Sequence, residues 1–236
     1  MPLKSVKVGG LLEGPLAIVD IELTYINEDT ESPIECSYEF PIDQDTVMSR
    51  LVAKIGDKEV EAKIKEKERA KEVYADAMAG GNTAVLAERK SEGAESMRIA
   101  LGGIPPLQGA QISMQLIFTL PVESSSFSFK LPPDFYPNYK KMGAPDPIGY
   151  SFEVDLSIKS SKAITQISAP EGAVCTRDEA GTSASVKCTV PCDDFRVFYR
   201  SSEMRYPNLL YAESPEYPGE VAVCASLVPT FEPPQP

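Results

Sequence analysis

IKEKERAKEVYADAMAGGNTAVLAERKSEGAESMRIALGGIPP, residues 64–106, sets one charged helix inside a chain whose hydrophobic pattern otherwise has the two-residue period of β-strands. Ala70, Val73, Tyr74 and Ala77 recur at helical spacing and make a narrow apolar stripe, while Lys65, Glu66, Lys67, Glu68, Arg69, Lys71 and Glu72 fill the other positions. The spacing predicts a short α-helix over about 65–79, closed where Gly80 or Gly81 takes up left-handed backbone. Its stripe should turn Val73, Tyr74 and Ala77 toward a β unit and leave Glu66, Lys67 and Glu68 in solvent. Ala84, Val85 and Leu86 form the next apolar group, and Ile104-Pro105-Pro106 stops a later strand.

On either side of this segment the chain alternates. Val19, Ile21, Leu23 and Tyr25 face one way and Asp20, Glu22 and Thr24 the other, the signature of a strand with one wet side. Leu51-Ala53-Ile55 and Val60-Ala62-Ile64 flank Gly56-Asp57-Lys58, which reads as a hairpin with glycine in the turn. A longer strand runs through Ile112, Met114, Leu116, Phe118 and Leu120, and Phe127-Phe129-Leu131 should pair back onto it. Prolines at 132, 133, 137, 145 and 147 then interrupt regular structure. Alternation resumes at Tyr150 to Ile158 and returns at Ile164–Ile167, Ser183–Val190, Phe195–Tyr199 and Val221–Leu227, with a turn at Asp178-Glu179-Ala180-Gly181.

The expected fold is therefore mainly all-β: two antiparallel β-sandwich-like units with the helix packed on the first. The divisions are a first unit at 1–131, a Pro-rich connection at 132–149, a second unit at 150–228 and a Pro-rich linker at 229–236.

Composition narrows the chemistry. The chain has 236 residues, 42% of them hydrophobic, so it can bury a substantial core. Its formal net charge of -12 disfavours nucleic acid and anionic membrane surfaces as partners. The cations from Lys63 to Lys71 are interleaved with Glu66 and Glu68, and the pairs Lys65/Glu68, Glu68/Lys71 and Arg69/Glu72 read as a solvated helix face. No apolar run approaches the about 20 residues needed to cross a bilayer, and no secretory segment follows Met1, so a cytoplasmic location is expected.

Histidine is missing, which removes the usual general base near neutral pH and the commonest zinc ligand. Asp43 with Asp45, and Asp193 with Asp194, are the carboxylate pairs a hydrolase would need, but neighbours in sequence read first as turn residues. A calcium site on Asp43-Gln44-Asp45 lacks further spaced oxygens. Cys36, Cys175, Cys188, Cys192 and Cys224 have no metal or disulfide-framework spacing and read as buried reduced thiols. Gly9-Gly10, Gly80-Gly81 and Gly102-Gly103 match no phosphate-binding loop and are assigned to turns and caps. No cofactor, metal or catalytic residue is assigned. Tyr136, Tyr139, Tyr206 and Tyr211 lie in Pro-rich connections, either packed at a junction or available as anchors for a protein partner. Strand edges also offer a route to self-association.

The succession Tyr38-Glu39-Phe40-Pro41-Ile42, Gly56, Glu66-Lys67, Ala70, Tyr74, Ala77, Gly80, Leu86 and Ile104-Pro105-Pro106 resembles the vault protein inter-alpha-trypsin (VIT) domain over about residues 6–120. Residues 127–236 resemble the segment that lies between the VIT domain and the A domain in von Willebrand factor A domain-containing protein 5A-like proteins. The resemblance implies an N-terminal fragment or truncated relative, a β-sandwich architecture and a role in protein association. It carries over no catalytic residue, and the metal-binding Asp-x-Ser-x-Ser loop of the A domain has no counterpart in these residues. Two other branches share the VIT domain, the secreted inter-alpha-trypsin inhibitor heavy chains and the poly(ADP-ribose) polymerase of vault particles. The readings carried forward are a non-catalytic interaction and scaffold module, a carboxylate-based hydrolase and a self-assembling structural protein.

Overall fold

The computed structural model describes residues 3–43, 45–62, 67–82, 84–89, 96–131, 135, 149–191, 194–202, 204, 206–214 and 217–229. The first strands are β1 (Leu3–Glu13), β2 (Leu16–Ile26), β3 (Ile34–Pro41), β4 (Val47–Ile55) and β5 (Lys58–Glu61). Helix α1 (Lys67–Ala79) leads to β6 (Ala84–Arg89), β7 (Ser96–Ile104), β8 (Gly109–Thr119), β9 (Val122–Glu123) and β10 (Ser126–Leu131). Then come β11 (Ser151–Lys159), β12 (Ile164–Ser168), β13 (Val174–Arg177), β14 (Ser183–Cys188), β15 (Phe195–Ser201), β16 (Asn208–Glu213) and β17 (Val221–Ser226). The chain is an all-β protein with one short helix.

Eight strands form one sheet in the order β13-β14-β11-β1-β2-β8-β4-β5. Every neighbour in it is antiparallel except β1 and β11, which run parallel from Ser5 opposite Ser151 to Glu13 opposite Lys159. Alternation fixes which face is buried. Val19, Ile21 and Leu23 of β2, Ile112, Met114 and Leu116 of β8, and Phe152, Val154, Leu156 and Ile158 of β11 all point inward.

Two smaller sheets, β12-β15-β10-β9 and β3-β7-β6, supply the opposing layer. Phe40, Ile99 and Leu101 from the second, and Phe129, Phe195, Val197 and Tyr199 from the first, join the large sheet in one hydrophobic cluster. Each such side chain contributes about 1.5–3 kcal/mol by leaving water. The strands β16 and β17 form a separate two-stranded ribbon.

Three expectations are corrected. Strand β10 does not return to β8; it pairs with β9 through the Ser124–Ser125 turn and with β15 from Phe127 opposite Tyr199 to Leu131 opposite Phe195. The glycine pairs at 9–10 and 102–103 are not turn residues but lie inside β1 and β7. A Cβ on Gly10 would come within 2.9 Å of the Ile18 carbonyl oxygen, so the absence of a side chain lets β1 seat between its neighbours. The thiols do not share one environment either: Cys188 is buried, Cys36 and Cys224 are half-buried, Cys175 is exposed, and Cys192 lies outside the described residues. Cys175 is exposed because it sits on β13, a four-residue strand at the sheet edge.

Candidate functional site

Helix α1 ends as its glycines dictate. The Gly81 N–H donates to the Met78 carbonyl at 3.0 Å and the Asn82 N–H to the Ala77 carbonyl at 2.9 Å, with Gly81 at φ 69°, which is a Schellman cap. The helix docks at an irregularity in the β3–β7 pair, where Gly102 and Gly103 together oppose the single residue Glu35. Gly103 adopts φ 70° there. A Cβ on Gly102 would fall 2.0 Å from the Met78 sulfur and 2.9 Å from the Tyr74 hydroxyl, so these two side chains occupy the space the glycine leaves.

The Tyr74 hydroxyl donates to Glu35 Oε1 at 2.7 Å. Partial burial, then this bond and the nearby carboxylate charge, push the phenol above its usual range. Lys71 lies 3.7 Å from Glu88 of β6, an ion pair between the helix and the sheet. The docked side chains are thus Tyr74, Ala77 and Met78, all half-buried, and the expected role of Val73 is corrected: it is 46% exposed. At roughly 100° per residue Val73 stands about 140° around the helix from Met78, which places it on the rim of the stripe.

That rim faces a groove of about 480 Å³ bounded by α1, β4, β5, β6 and Met97 of β7. Val73 and Ala77 line it from the helix, Leu51 and Val60 from the hairpin, and Val85 and Leu86 from β6. Both β5 and β6 are the outermost strands of their sheets, so the groove runs between two strand edges. Arg50 at its margin is paired with Glu61 at 3.0 Å.

A second apolar surface lies on the β16–β17 ribbon. Leu209, Tyr211, Val221 and Val223 are 61%, 73%, 52% and 59% exposed. Tyr206 beside it is 67% exposed, so neither Tyr206 nor Tyr211 packs at a junction. Tyr136 and Tyr139 lie outside the described residues.

The residues singled out by the family resemblance are dispersed, and several have structural surroundings. Phe40 is buried, with its ring centroid 5.2 Å from that of Tyr38 and 5.0 Å from that of Phe135, and Pro41 closes β3. Gly56 turns the β4–β5 hairpin at φ 56°, and the Gln108 side chain fills the place of its missing Cβ. Ala70, Tyr74, Ala77 and Gly80 belong to α1 and its cap, Leu86 to the groove, and Pro106 to the turn after β7. Lys67 opens the helix, and Glu66 lies outside the described residues.

Ile104 and Pro105 accept hydrogen bonds from Asn27, a residue that periodicity did not flag. Its signal was a lone amide directly after the apolar run that ends β2. Asp43 and Asp45 stand exposed around a turn closed by Thr46 N–H to the Asp43 carbonyl. Asp194 pairs with Arg196 at 2.8 Å, while Gln44 and Asp193 lie outside the described residues. Among the described residues no three of Cys, Asp and Glu gather closely enough to hold a metal ion, and no helix is long and apolar enough to cross a membrane.

The geometry defines a β-rich module with one docked helix and two apolar surfaces. Residues 3–118 match the family described as Vault protein inter-alpha-trypsin domain, and that part of the chain is a VIT domain. The chain is 28% identical over 145 residues to von Willebrand factor A domain-containing protein 5A of Homo sapiens, a match spanning 61% of this chain and 18% of that protein. It is 30% identical over 141 residues to a von Willebrand factor A domain-containing protein of Dictyostelium discoideum, over 60% of this chain and 14% of the relative. It is also 30% identical over 132 residues to protein mono-ADP-ribosyltransferase PARP4 of Mus musculus, over 56% of this chain and 7% of that protein. The match thus spans less than a fifth of the length of each of these curated relatives.

Proposed function

We propose that this chain is a non-catalytic module for protein association that acts in the cytoplasm and supports a von Willebrand A domain. Residues 1–131 and 150–228 are its two units, joined through 132–149, with 229–236 leading toward the A domain. The VIT match over residues 3–118 and the names of the relatives support an interaction role. The observation that carries the reading is the groove beside α1. It is open, walled by apolar side chains, and set between two strand edges able to take an added extended segment. A carboxylate hydrolase would need two carboxyls converging in a cleft, and Asp43 and Asp45 are exposed on a turn instead.

Affinity capture from the source cells on the chain and on its Val73→Arg variant tests this. A specific set of proteins held by the chain and lost with Val73→Arg is the expected result. A set unchanged by the substitution, or one held only by a separately supplied A domain, would leave this part a passive support.

A further inference from the structure

We propose that the β16–β17 ribbon is a self-association surface, occupied by the same ribbon of a second copy of this chain. The observation behind it is independent of the groove. One face of the ribbon is turned to the rest of the molecule: Leu210, Cys224 and Ser226 are half-buried, and Leu210 and Ser226 border a pocket shared with Phe127 and Tyr199. Pairing runs from Asn208 opposite Ser226 to Glu213 opposite Val221, and the register puts Leu209, Tyr211, Val221, Val223 and Ala225 on the other side. All five are exposed.

Three considerations select a second copy. The first is area: four side chains of this size, each more than half exposed, present on the order of 500 Å². Two such faces together bury on the order of 1,000 Å², the lower limit for a specific interface, and this corresponds to a weak, reversible dimer. The second is shape, since two ribbons stacked through their exposed faces cover each other as the two layers of a sandwich do.

The third is charge. The face carries one side chain charged at neutral pH, Glu213 at its far end, and so offers a cationic partner little to engage. A two-fold arrangement with the ribbons antiparallel holds the two Glu213 carboxylates about 17 Å apart at strand spacing, beyond the screening length of about 8 Å at physiological salt. The net charge of -12 on each copy opposes approach, so added salt should strengthen this dimer. Face-to-face stacking also closes at two copies, whereas edge pairing would continue into open chains.

Sedimentation velocity on the full chain, over a micromolar to millimolar concentration series with reductant, at low and high salt, tests the proposal. The expected result is a monomer–dimer equilibrium that shifts toward dimer as salt rises. Tyr211→Glu and Val223→Glu should each weaken it at least about tenfold. Val174→Glu, on the similarly exposed β13 edge, should leave it unchanged, as should Val73→Arg in the groove. Far-ultraviolet circular dichroism and a thermal melt establish that each variant is folded, and Tyr211→Ser serves if the glutamate variant is not. A monomer at every concentration, a dimer indifferent to both ribbon variants, weakening by salt, or open-ended oligomers would overturn it.

Discussion

The Asn27 side-chain amide donates to the Ile104 carbonyl at 3.1 Å, joining the end of β2 to the end of β7 across 77 residues of chain. The same nitrogen reaches the Pro105 carbonyl at 3.1 Å and the Ser32 carbonyl at 3.2 Å, while its oxygen accepts from the Asp29 N–H at 2.9 Å. Asn27 is 1% exposed, so bulk solvent does not reach these hydrogen bonds in the folded chain. Asn27→Ala is expected to cost about 2–3 kcal/mol, the penalty for leaving buried carbonyls unpaired. Urea unfolding monitored by tyrosine fluorescence measures it, and a change below about 0.5 kcal/mol would show that the loop is held by something else.

Gly102→Ala should disturb helix docking, because its Cβ would intrude on Met78 and on the Tyr74 hydroxyl. The expected loss is about 1–3 kcal/mol, the range for overpacking. Met78→Ala in the same chain should recover much of it, giving a coupling of about 1 kcal/mol or more in a double-mutant cycle. Simple additivity would mean that the helix tip moves aside freely.

The β9–β10 turn holds two non-glycine residues in left-handed backbone, Ser124 at φ 49° and Ser125 at φ 58°. Arg200 stabilises it from β15, its guanidinium donating to the Ser125 and Ser124 carbonyls at 2.6 Å each. Relief of the left-handed cost makes Ser125→Gly stabilising by up to about 1 kcal/mol. Arg200→Ala should lose about 1–2 kcal/mol by removing both bonds. Denaturation midpoints of the two single variants and their combination check both signs.

Tyr199 sets an alkaline limit. Burial, and to a lesser degree the charge of Glu13, push its phenol above the usual range, and its hydroxyl donates to the Gly14 carbonyl. A group that holds its proton more tightly when folded contributes stability that is complete below the unfolded value, near pH 10. As pH rises past that value the unfolded chain ionises first and the contribution declines, by up to about 1.4 kcal/mol per pH unit. Urea midpoints from about pH 8 to about pH 11 should therefore fall, and the fall should be shallower in Tyr199→Phe. An identical slope in the variant would assign the alkaline loss to other groups.

Local pattern foretold local structure in this chain, and pairing was the part it left open. Alternation in β2, β8 and β11 marked both the strands and their buried faces, because a side-chain period of two has only one interpretation when one face is wet. The helix was legible from apolar residues at helical spacing, and its cap from the paired glycines that follow. Phe127, Phe129 and Leu131 were recognisable as a strand, but proximity suggested β8 as partner, and the two-residue turn at Ser124 sends the chain to β9 instead.

Gly102 was legible as a glycine and not as a seat for Met78, since only the β3–β7 register reveals that it faces the helix. The surfaces proposed for association were partly visible in advance. Tyr211 stood out as an aromatic, whereas Val221 and Val223 read as ordinary strand interior, and only their exposure on the outer face of the ribbon distinguishes them. The groove could not be read from the sequence, because its walls come from five separate elements, Met97 of β7 included.

The parallel seam between β1 and β11 gives the molecule an order of events during synthesis. One of the two neighbours of Leu3–Glu13, the strand Ser151–Lys159, is made about 140 residues after it, at typical elongation rates some seconds to half a minute later. Throughout that interval one flank of β1 has its backbone donors and acceptors bare, in a strand that already carries Val6, Val8 and Leu12. The nascent chain is thus open to misassociation along this flank from the synthesis of β1 until the arrival of β11.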